Sequence, residues 1–261
     1  MRLTIDDFKK FKRKGQPFAC LTAYDYPTAN IADRVGIPLL LVGDSLASVV
    51  LGYENTSTVT MEEMLHHVKP VARGSNSALI VADLPFLSYG ITDSETLRNA
   101  GRMMQEGGAQ AVKLEGGQEV CNAVRLITES GIPVMGHIGF TPQTASGSAK
   151  LKTAVSPEET AATLMQDALE LEKAGAFSVV LQRVPQEIAE SITSALKIPT
   201  IGVGSGSKCD GQIVVTQDLL GFGSGFESRN IAPYSNLNKI FEDTFHAYQR
   251  DVQMRAFPPD A

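Results

Sequence analysis

Three short, mainly apolar runs in the first half of the chain each lead directly to an acidic residue. These residues are Asp44, Asp83 and Glu115, and they lie 39 and 32 residues apart. This spacing is the length of one strand–helix–strand step, so the runs predict successive parallel strands. In a parallel barrel the carboxyl ends of the strands converge on one face, where active sites lie. Three carboxylates meeting there would form an oxygen-rich site of the kind that Mg²⁺ prefers. Each acid taken alone has the alternative role of capping the helix that follows.

Apolar runs rich in β-branched residues alternate with amphipathic helical segments along the whole chain. The predicted strands are residues 18–22, 39–43, 79–83, 111–115, 133–137, 178–182, 200–204 and 213–215. Continuous apolar strands of this kind are typical of parallel strands that are covered on both faces. Eight of them, with helices between and no break in composition, predict a single (β/α)₈ TIM barrel domain over residues 1–261. An open, doubly wound sheet is the alternative.

Composition excludes several classes of protein. The net charge of −6 and the pI near 5.3 suggest no basic face, which argues against a nucleic-acid partner. No apolar run approaches the length of a membrane span, and the first residues lack the apolar segment of a secretory signal. The three cysteines are far apart, so they form neither a zinc-binding pair nor a disulfide framework. We therefore expect a cytoplasmic protein without nucleic-acid or membrane partners.

Three further polar residues lie near the ends of the predicted strands. Lys113 precedes Glu115 by two residues, so both side chains point to the same side of a strand. A lysine inside a barrel is unfavourable unless anions pair with it, and a carboxylate substrate would be such an anion. His137 ends the fifth predicted strand, a position that suits either a structural or a catalytic histidine. Ser45 follows Asp44 and is suited to cap a helix, to donate to a bound carboxylate, or both.

Eight short motifs follow one another along the chain. They are YDY at 24–26, VGDSL at 42–46, LGY at 51–53, ADLPF at 82–86, KLEGG at 113–117, GHIG at 136–139, TPQ at 141–143 and CDGQ at 209–212. Their combination resembles the ketopantoate hydroxymethyltransferase (3-methyl-2-oxobutanoate hydroxymethyltransferase) family. The combination is specific to that family, whereas no single motif is.

The resemblance implies a barrel of the phosphoenolpyruvate mutase/isocitrate lyase type that requires Mg²⁺. Its members transfer a hydroxymethyl group from 5,10-methylenetetrahydrofolate to C3 of 3-methyl-2-oxobutanoate in pantothenate biosynthesis. By match to the family, the metal ligands would be Asp44, Asp83 and Glu115. The 2-oxo acid would be bound by Asp44, Ser45, Asp83 and Lys113. The family also implies a homo-oligomer, a decamer.

The chain departs from the family pattern at the position of the general base. The sixth strand of family members ends in a glutamate that is their proposed base, and Gln182 stands there in this chain. An amide cannot accept a proton at a useful pH, which leaves His137 as the nearest candidate by strand order. Segments 144–153 and 223–234 depart as well. Two alternatives therefore stay open: a diverged paralogue that performs aldol or lyase chemistry on another 2-oxo acid, and a non-catalytic 2-oxo acid binder.

Overall fold

Eight parallel strands close into a barrel in which every strand pairs with its neighbours in sequence order. The computed structural model describes residues 1–145, 157–223 and 232–258. The strands are β1 (Phe18–Thr22), β2 (Leu39–Val42), β3 (Leu79–Asp83), β4 (Ala111–Lys113), β5 (Val134–Gly139), β6 (Ser178–Gln182), β7 (Thr200–Val203) and β8 (Gly211–Val214). Strand β8 pairs with β1, so the sheet has no free edge. The predicted (β/α)₈ barrel is confirmed, and the open doubly wound sheet is excluded.

Helices alternate with the strands along the chain. They are α1 (Ile5–Arg13), α2 (Tyr26–Arg34), α3 (Leu46–Val49), α4 (Met61–Gly74), α5 (Asp93–Gln105), α6 (Cys121–Glu129), α7 (Pro142–Ala145), α8 (Pro157–Lys173), α9 (Gln186–Ala195), α10 (Thr216–Leu220) and α11 (Leu237–Gln253). Local sequence sets several of their starts. Thr60 caps α4 through a capping box with Glu63, because each residue satisfies a backbone N–H of the other.

Five strands (β2, β4, β5, β7 and β8) differ from their predicted ranges by one or two residues at an end, and the two-residue changes at the ends of β4 and β5 lie at the carboxyl end of the barrel. Strand β4 ends at Lys113 because the chain turns away at Gly116, where φ is +131°. That conformation strongly favours glycine. Strand β5 instead continues past His137 to Gly139. The extension keeps β5 paired with β6 up to Gln182, which lies opposite Gly139.

The interior of the barrel is an apolar core that is separate from the layer between strands and helices. It contains alternate residues of the strands, among them Leu41, Val81, Met135 and Val180. Helix α1 precedes β1 and therefore closes the amino-terminal end of the barrel. Its Phe8 is fully buried, with its ring centroid 5.1 Å from that of Phe18. The amino-terminal half of the barrel is thus filled, which leaves its carboxyl end for polar side chains.

Contacts between residues group the chain into two compact units, Met1–Val214 and Val215–Ala261. The first unit contains the whole barrel. In the second unit, Phe222 packs on Phe241 of α11 with ring centroids 5.0 Å apart. The prediction of a single domain over residues 1–261 stays a prediction. Within the described residues, no helix is long and apolar enough to cross a membrane.

We predict that Phe8→Ala lowers the free energy of unfolding by about 3–5 kcal/mol, because it leaves a cavity beneath the barrel core. Urea denaturation followed by circular dichroism measures this loss. Phe11→Ala is the matched control, since Phe11 belongs to the same aromatic cluster but is only half-buried. The control should lose clearly less stability, and equal losses would show that α1 does not seal the barrel through Phe8.

Candidate active site

The three acidic residues singled out by the sequence come together at the carboxyl end of the barrel. Asp44 follows β2, Asp83 ends β3 and Glu115 follows β4, and each is at most 4% exposed. The backbone N–H of Asp44 donates to Asp83 Oδ2 over 3.0 Å. This bond ties the turn after β2 to the end of β3, so that the two carboxylates are held as neighbours.

Lys113 lies among these carboxylates. In the register of the sheet it is the direct partner of Asp83, and its Nζ is 3.2 Å from Asp83 Oδ1 and 3.7 Å from Glu115 Oε1. Burial alone would lower the pKa of Lys113, but the charges of Asp83, Glu115 and Asp44 raise it above the usual range. The side chain is therefore a buried ammonium, held in its charged form by anions.

The pKa values of the three acids shift in different directions. Burial and the charges of its acidic neighbours raise the pKa of Asp44, and burial raises that of Asp83 despite the pairing with Lys113. Burial also acts to raise the pKa of Glu115, yet His137 and Lys113 lower it to about 2. Asp44 and Asp83 therefore form a pair of crowded acids that an additional cation would stabilise.

His137 lies on the interior side of β5, beside both charged partners. Its Nδ1 is 3.2 Å from Glu115 Oε1 and 3.3 Å from Lys113 Nζ. Its Nε2 is buried and has no hydrogen-bond partner within the described residues. A buried ring nitrogen without a partner is uncommon in native proteins, so this atom is a candidate to meet a bound molecule.

Gln143 is a site residue for which the sequence analysis assigned no role. It is 2% exposed and lies near the start of α7, just beyond β5. Its Nε2 donates to Asp44 Oδ2 over 2.9 Å and to Leu84 O over 3.0 Å, while its backbone N–H donates to Glu115 Oε2 over 3.0 Å. Its Oε1 accepts from the Tyr89 hydroxyl over 2.7 Å. The available signal was its place in the TPQ motif directly after a strand that bears a candidate histidine.

Ser45 is the N-cap residue of α3, but its side chain makes no capping hydrogen bond. Its hydroxyl instead lies 2.8 Å from the hydroxyl of Tyr24, a residue that is only 2% exposed. The backbone carbonyl of Tyr24 is in turn 2.7 Å from His67 Nδ1. The Ser45 hydroxyl is therefore held at the barrel mouth beside Asp44, where it is free of the capping role that the sequence also allowed.

Gln182 ends β6 and is half-buried. It lies two residues after Val180, which packs in the barrel core, so its side chain points to the interior side of the sheet. Arg183 follows with φ +53°, and its guanidinium stacks 4.6 Å from the ring centroid of Phe140. Two other segments, 144–153 and 223–234, depart from the family pattern. Of these, residues 146–153 and 224–231 lie outside the described residues.

A family model described as ketopantoate hydroxymethyltransferase matches residues 2–260. The chain belongs to the ketopantoate hydroxymethyltransferase family. A 3-methyl-2-oxobutanoate hydroxymethyltransferase of Dehalococcoides mccartyi (strain BAV1) is 52% identical over 258 residues, which are 99% of this chain and 92% of that relative. The enzyme of the same name from Thermoanaerobacter sp. (strain X514) is 48% identical over 252 residues, which are 97% of this chain and 92% of that relative. The resemblance carried by the sequence motifs is confirmed.

Solved structures of more distant proteins share the barrel. A phosphoenolpyruvate phosphomutase from Streptomyces platensis subsp. rosaceus superimposes with a TM-score of 0.65 at 13% identity, covering 96% of this chain and 88% of that one. A phosphonopyruvate hydrolase complex with oxalate and Mg²⁺ gives 0.64 at 14% identity, covering 98% and 90%. At these identities the comparison supports the fold alone, and it agrees with the predicted phosphoenolpyruvate mutase/isocitrate lyase type of barrel.

The chemistry of the ketopantoate hydroxymethyltransferase-family site suits a hard cation. Its acids supply carboxylate oxygens, and Asp83 Oδ1 is buried without a hydrogen-bond partner among the described residues, although Lys113 forms an ion pair with it. Among those residues, however, no three His, Cys, Asp or Glu side chains form a preassembled metal site. Both oxygens of Glu115 are engaged, one by His137 and Lys113 and the other by Gln143. The assignment of Asp44, Asp83 and Glu115 as metal ligands stays a prediction.

We predict that Lys113→Met, which keeps most of the side-chain volume, lowers the free energy of unfolding by about 3–5 kcal/mol at pH 8 without divalent cations. The variant would bury Asp83 and Glu115 without their ammonium. Because the folded-state pKa values of these acids would then rise, protonation at lower pH would remove part of the penalty. The loss should thus be smaller at pH 5, as measured by urea denaturation at both values. An equal loss at both pH values would contradict this account.

Proposed function

We propose that this protein transfers a hydroxymethyl group from 5,10-methylenetetrahydrofolate to C3 of 3-methyl-2-oxobutanoate, giving 2-dehydropantoate for pantothenate biosynthesis. The observation that carries the proposal is the 52% identity over 99% of the chain to a relative with this activity in its name. The buried cluster around Lys113 supports it, since its ammonium and a cation held by its acids would together supply the positive charge that a 2-oxo acid, an anion, requires.

Asp44, Asp83 and Glu115 would hold a Mg²⁺ ion. When bound, the ion supplies positive charge that favours loss of the C3 proton from a 2-oxo acid. The three acids would not contribute equally to binding the ion. Asp44 and Asp83 are crowded acids with raised pKa values, whereas Glu115 already pairs with His137 and Lys113. Glu115 would therefore contribute mainly through a bound water molecule.

The residues around Asp44 and Asp83 would orient the oxo acid. Lys113 brings the only ammonium of the buried cluster in the described part of the chain, and it would attract the substrate carboxylate. The hydroxyl of Ser45, turned towards Tyr24 rather than towards the helix start, would donate to the same carboxylate. Asp44 and Asp83 would contact the substrate together with the bound cation.

Two residues are candidates to manage the C3 proton. Gln182 stands at the usual base position, but its amide has no lone pair basic enough to take a proton, so it would orient the substrate or a water molecule. His137 offers Nε2, which is buried without a hydrogen-bond partner among the described residues, while Nδ1 lies beside Glu115. A histidine held by a carboxylate on one nitrogen is well arranged to accept a proton on the other. We therefore propose His137 as the general base that accepts the C3 proton.

Gln182 also favours a second candidate function. Without a glutamate at this position, the site would act on another 2-oxo acid by aldol or lyase chemistry, or would bind a 2-oxo acid without turnover. Incubation with Mg²⁺, 5,10-methylenetetrahydrofolate and 3-methyl-2-oxobutanoate separates these functions. Formation of 2-dehydropantoate, detected by mass spectrometry, supports the transferase, whereas binding without product supports the binder.

We also propose that the protein is a cytoplasmic homo-oligomer, a decamer by resemblance to its family. Helix α11 supports self-association, because it has no buried residue and exposes apolar side chains that include Phe241, Phe245 and Tyr248. Such a contiguous apolar surface is typical of an interface between protein chains.

Asp83→Ala should abolish the Mg²⁺-dependent part of 3-methyl-2-oxobutanoate binding, because it removes an acid that contacts both Lys113 and the Asp44 backbone. Titration calorimetry with and without Mg²⁺ measures the effect. Asp6→Ala is the control, since Asp6 is an exposed acid of α1 at the opposite end of the barrel. Unchanged affinity of Asp83→Ala for the oxo acid in Mg²⁺ would refute the site assignment.

Gln182→Glu should raise the rate of proton–deuterium exchange at C3 of 3-methyl-2-oxobutanoate, by up to about 10²–10⁴-fold, the usual contribution of a positioned general base. Exchange is followed by proton NMR in deuterated buffer containing Mg²⁺. Gln186→Glu, an exposed residue at the start of α9, introduces the same charge away from the barrel interior and should leave the rate unchanged. No rise in Gln182→Glu would show that the wild-type protein already has an effective base.

A further inference from the structure

The amide of Gln143 bridges elements that lie far apart in the chain. One side chain contacts Asp44, which follows β2, and Leu84, which follows β3, while the backbone of the same residue contacts Glu115 after β4. We propose that Gln143 is a positioning residue that fixes the orientation of the Asp44 and Glu115 carboxylates and thereby sets the affinity of the site for a divalent cation. This inference rests on the proposed function, in that it takes the acid cluster to bind such a cation.

The orientation of the amide is determined by its neighbours. Nε2 faces two acceptors, Asp44 Oδ2 and the Leu84 carbonyl, so it must be the donor end of the side chain. Oε1 faces the hydroxyl of Tyr89, which accepts from the backbone N–H of Glu115 over 3.1 Å. The Tyr89 hydroxyl oxygen lies 2.7 Å from Gln143 Oε1 and 3.1 Å from Glu115 O, and the shorter contact favours donation to Gln143. A flipped amide would place its oxygen against a carboxylate.

Gln143 occupies one oxygen on each of two acids. Its side chain takes Asp44 Oδ2, which leaves Oδ1 as the oxygen that Asp44 can offer to a cation. Its backbone takes Glu115 Oε2, while Glu115 Oε1 lies beside Lys113 and His137. The rotation of both carboxylates is thus restricted before any ligand binds, and a cation would not have to order them.

The Gln143 side chain restricts the Asp44 carboxylate without changing the charge of the site, because an amide is neutral. Three carboxyl groups, those of Asp44, Asp83 and Glu115, lie around the Lys113 ammonium, so in the described part of the chain the acids of the cluster outnumber its ammonium groups. Charge and position therefore make opposite predictions for Gln143→Glu. If only charge mattered, a fourth carboxylate would tighten Mg²⁺ binding. If position matters, binding should weaken, because the new carboxylate cannot donate to Asp44 and repels it.

The test is titration calorimetry of the full chain with Mg²⁺ alone, without substrate. We expect Gln143→Glu and Gln143→Met to raise the Kd for Mg²⁺ at least tenfold, about 1.4 kcal/mol. The matched controls are Gln166→Glu and Gln166→Met, because Gln166 is an exposed glutamine of α8 whose side chain donates a hydrogen bond to Glu170. The controls should stay within twofold of the wild type. Tighter binding by Gln143→Glu, or unchanged binding by both Gln143 variants, would overturn the proposal.

Tyr89→Phe keeps the test decisive if the Gln143 variants do not fold. It deletes one oxygen and so frees the Gln143 amide to turn, and we expect it to raise the Kd for Mg²⁺ at least threefold. An unchanged Kd in this variant would also overturn the proposal. Product formation by the wild type is measured separately. If the wild type makes 2-dehydropantoate but the variants bind Mg²⁺ as tightly as the wild type does, only the role of Gln143 is refuted. If the Gln143 variants weaken Mg²⁺ binding as expected but the wild type makes no product, only the proposed function is refuted.

Discussion

The ion pairing of Lys113 with buried carboxylates is the interaction on which the rest of the barrel mouth depends. A lone ammonium or a lone carboxylate in this position would be strongly unfavourable, because each would lose its hydration without a partner. The register of the sheet solves this problem directly, since Asp83 and Lys113 are paired neighbours on β3 and β4. Once this pair is in place, the residues that follow β2 and β4 bring Asp44 and Glu115 into the same charged cluster.

The features that the sequence predicted are those that depend on local periodicity. Alternation along a strand places Lys113 and Asp83 inside the barrel, and continuous apolar runs identify the eight strands. The positions of the acids at strand ends follow from the same logic. By contrast, the interactions of Gln143 join residues 99 positions apart, and nothing in the local pattern records which way a four-residue helix crosses the barrel mouth. The pairing of Ser45 with Tyr24 was beyond prediction for the same reason, because capping was the local alternative and tertiary contact prevailed.

The carboxyl end of the barrel combines strong charge with neutral hydrogen-bond donors. The charges provide attraction for an anion and a cation together, but charge alone leaves carboxylates free to rotate and to take up protons. Donors without charge, such as the Gln143 amide and the Asp44 backbone N–H, restrict that rotation while leaving the net charge unchanged. The burial of these groups strengthens each hydrogen bond, because water does not compete for it.

The residues proposed for binding and those proposed for proton removal lie on different parts of the sheet. The acids and Lys113 belong to β2, β3 and β4, whereas His137 and Gln182 lie on β5 and β6. A change at the end of β6 is therefore separated from the charged cluster around Lys113. His137 lies at the boundary of the two parts, with Nδ1 next to Glu115 and Nε2 without a partner among the described residues. A proton acceptor at this boundary would be held by Glu115, so its orientation would depend on the same carboxylate cluster that is proposed to bind the substrate.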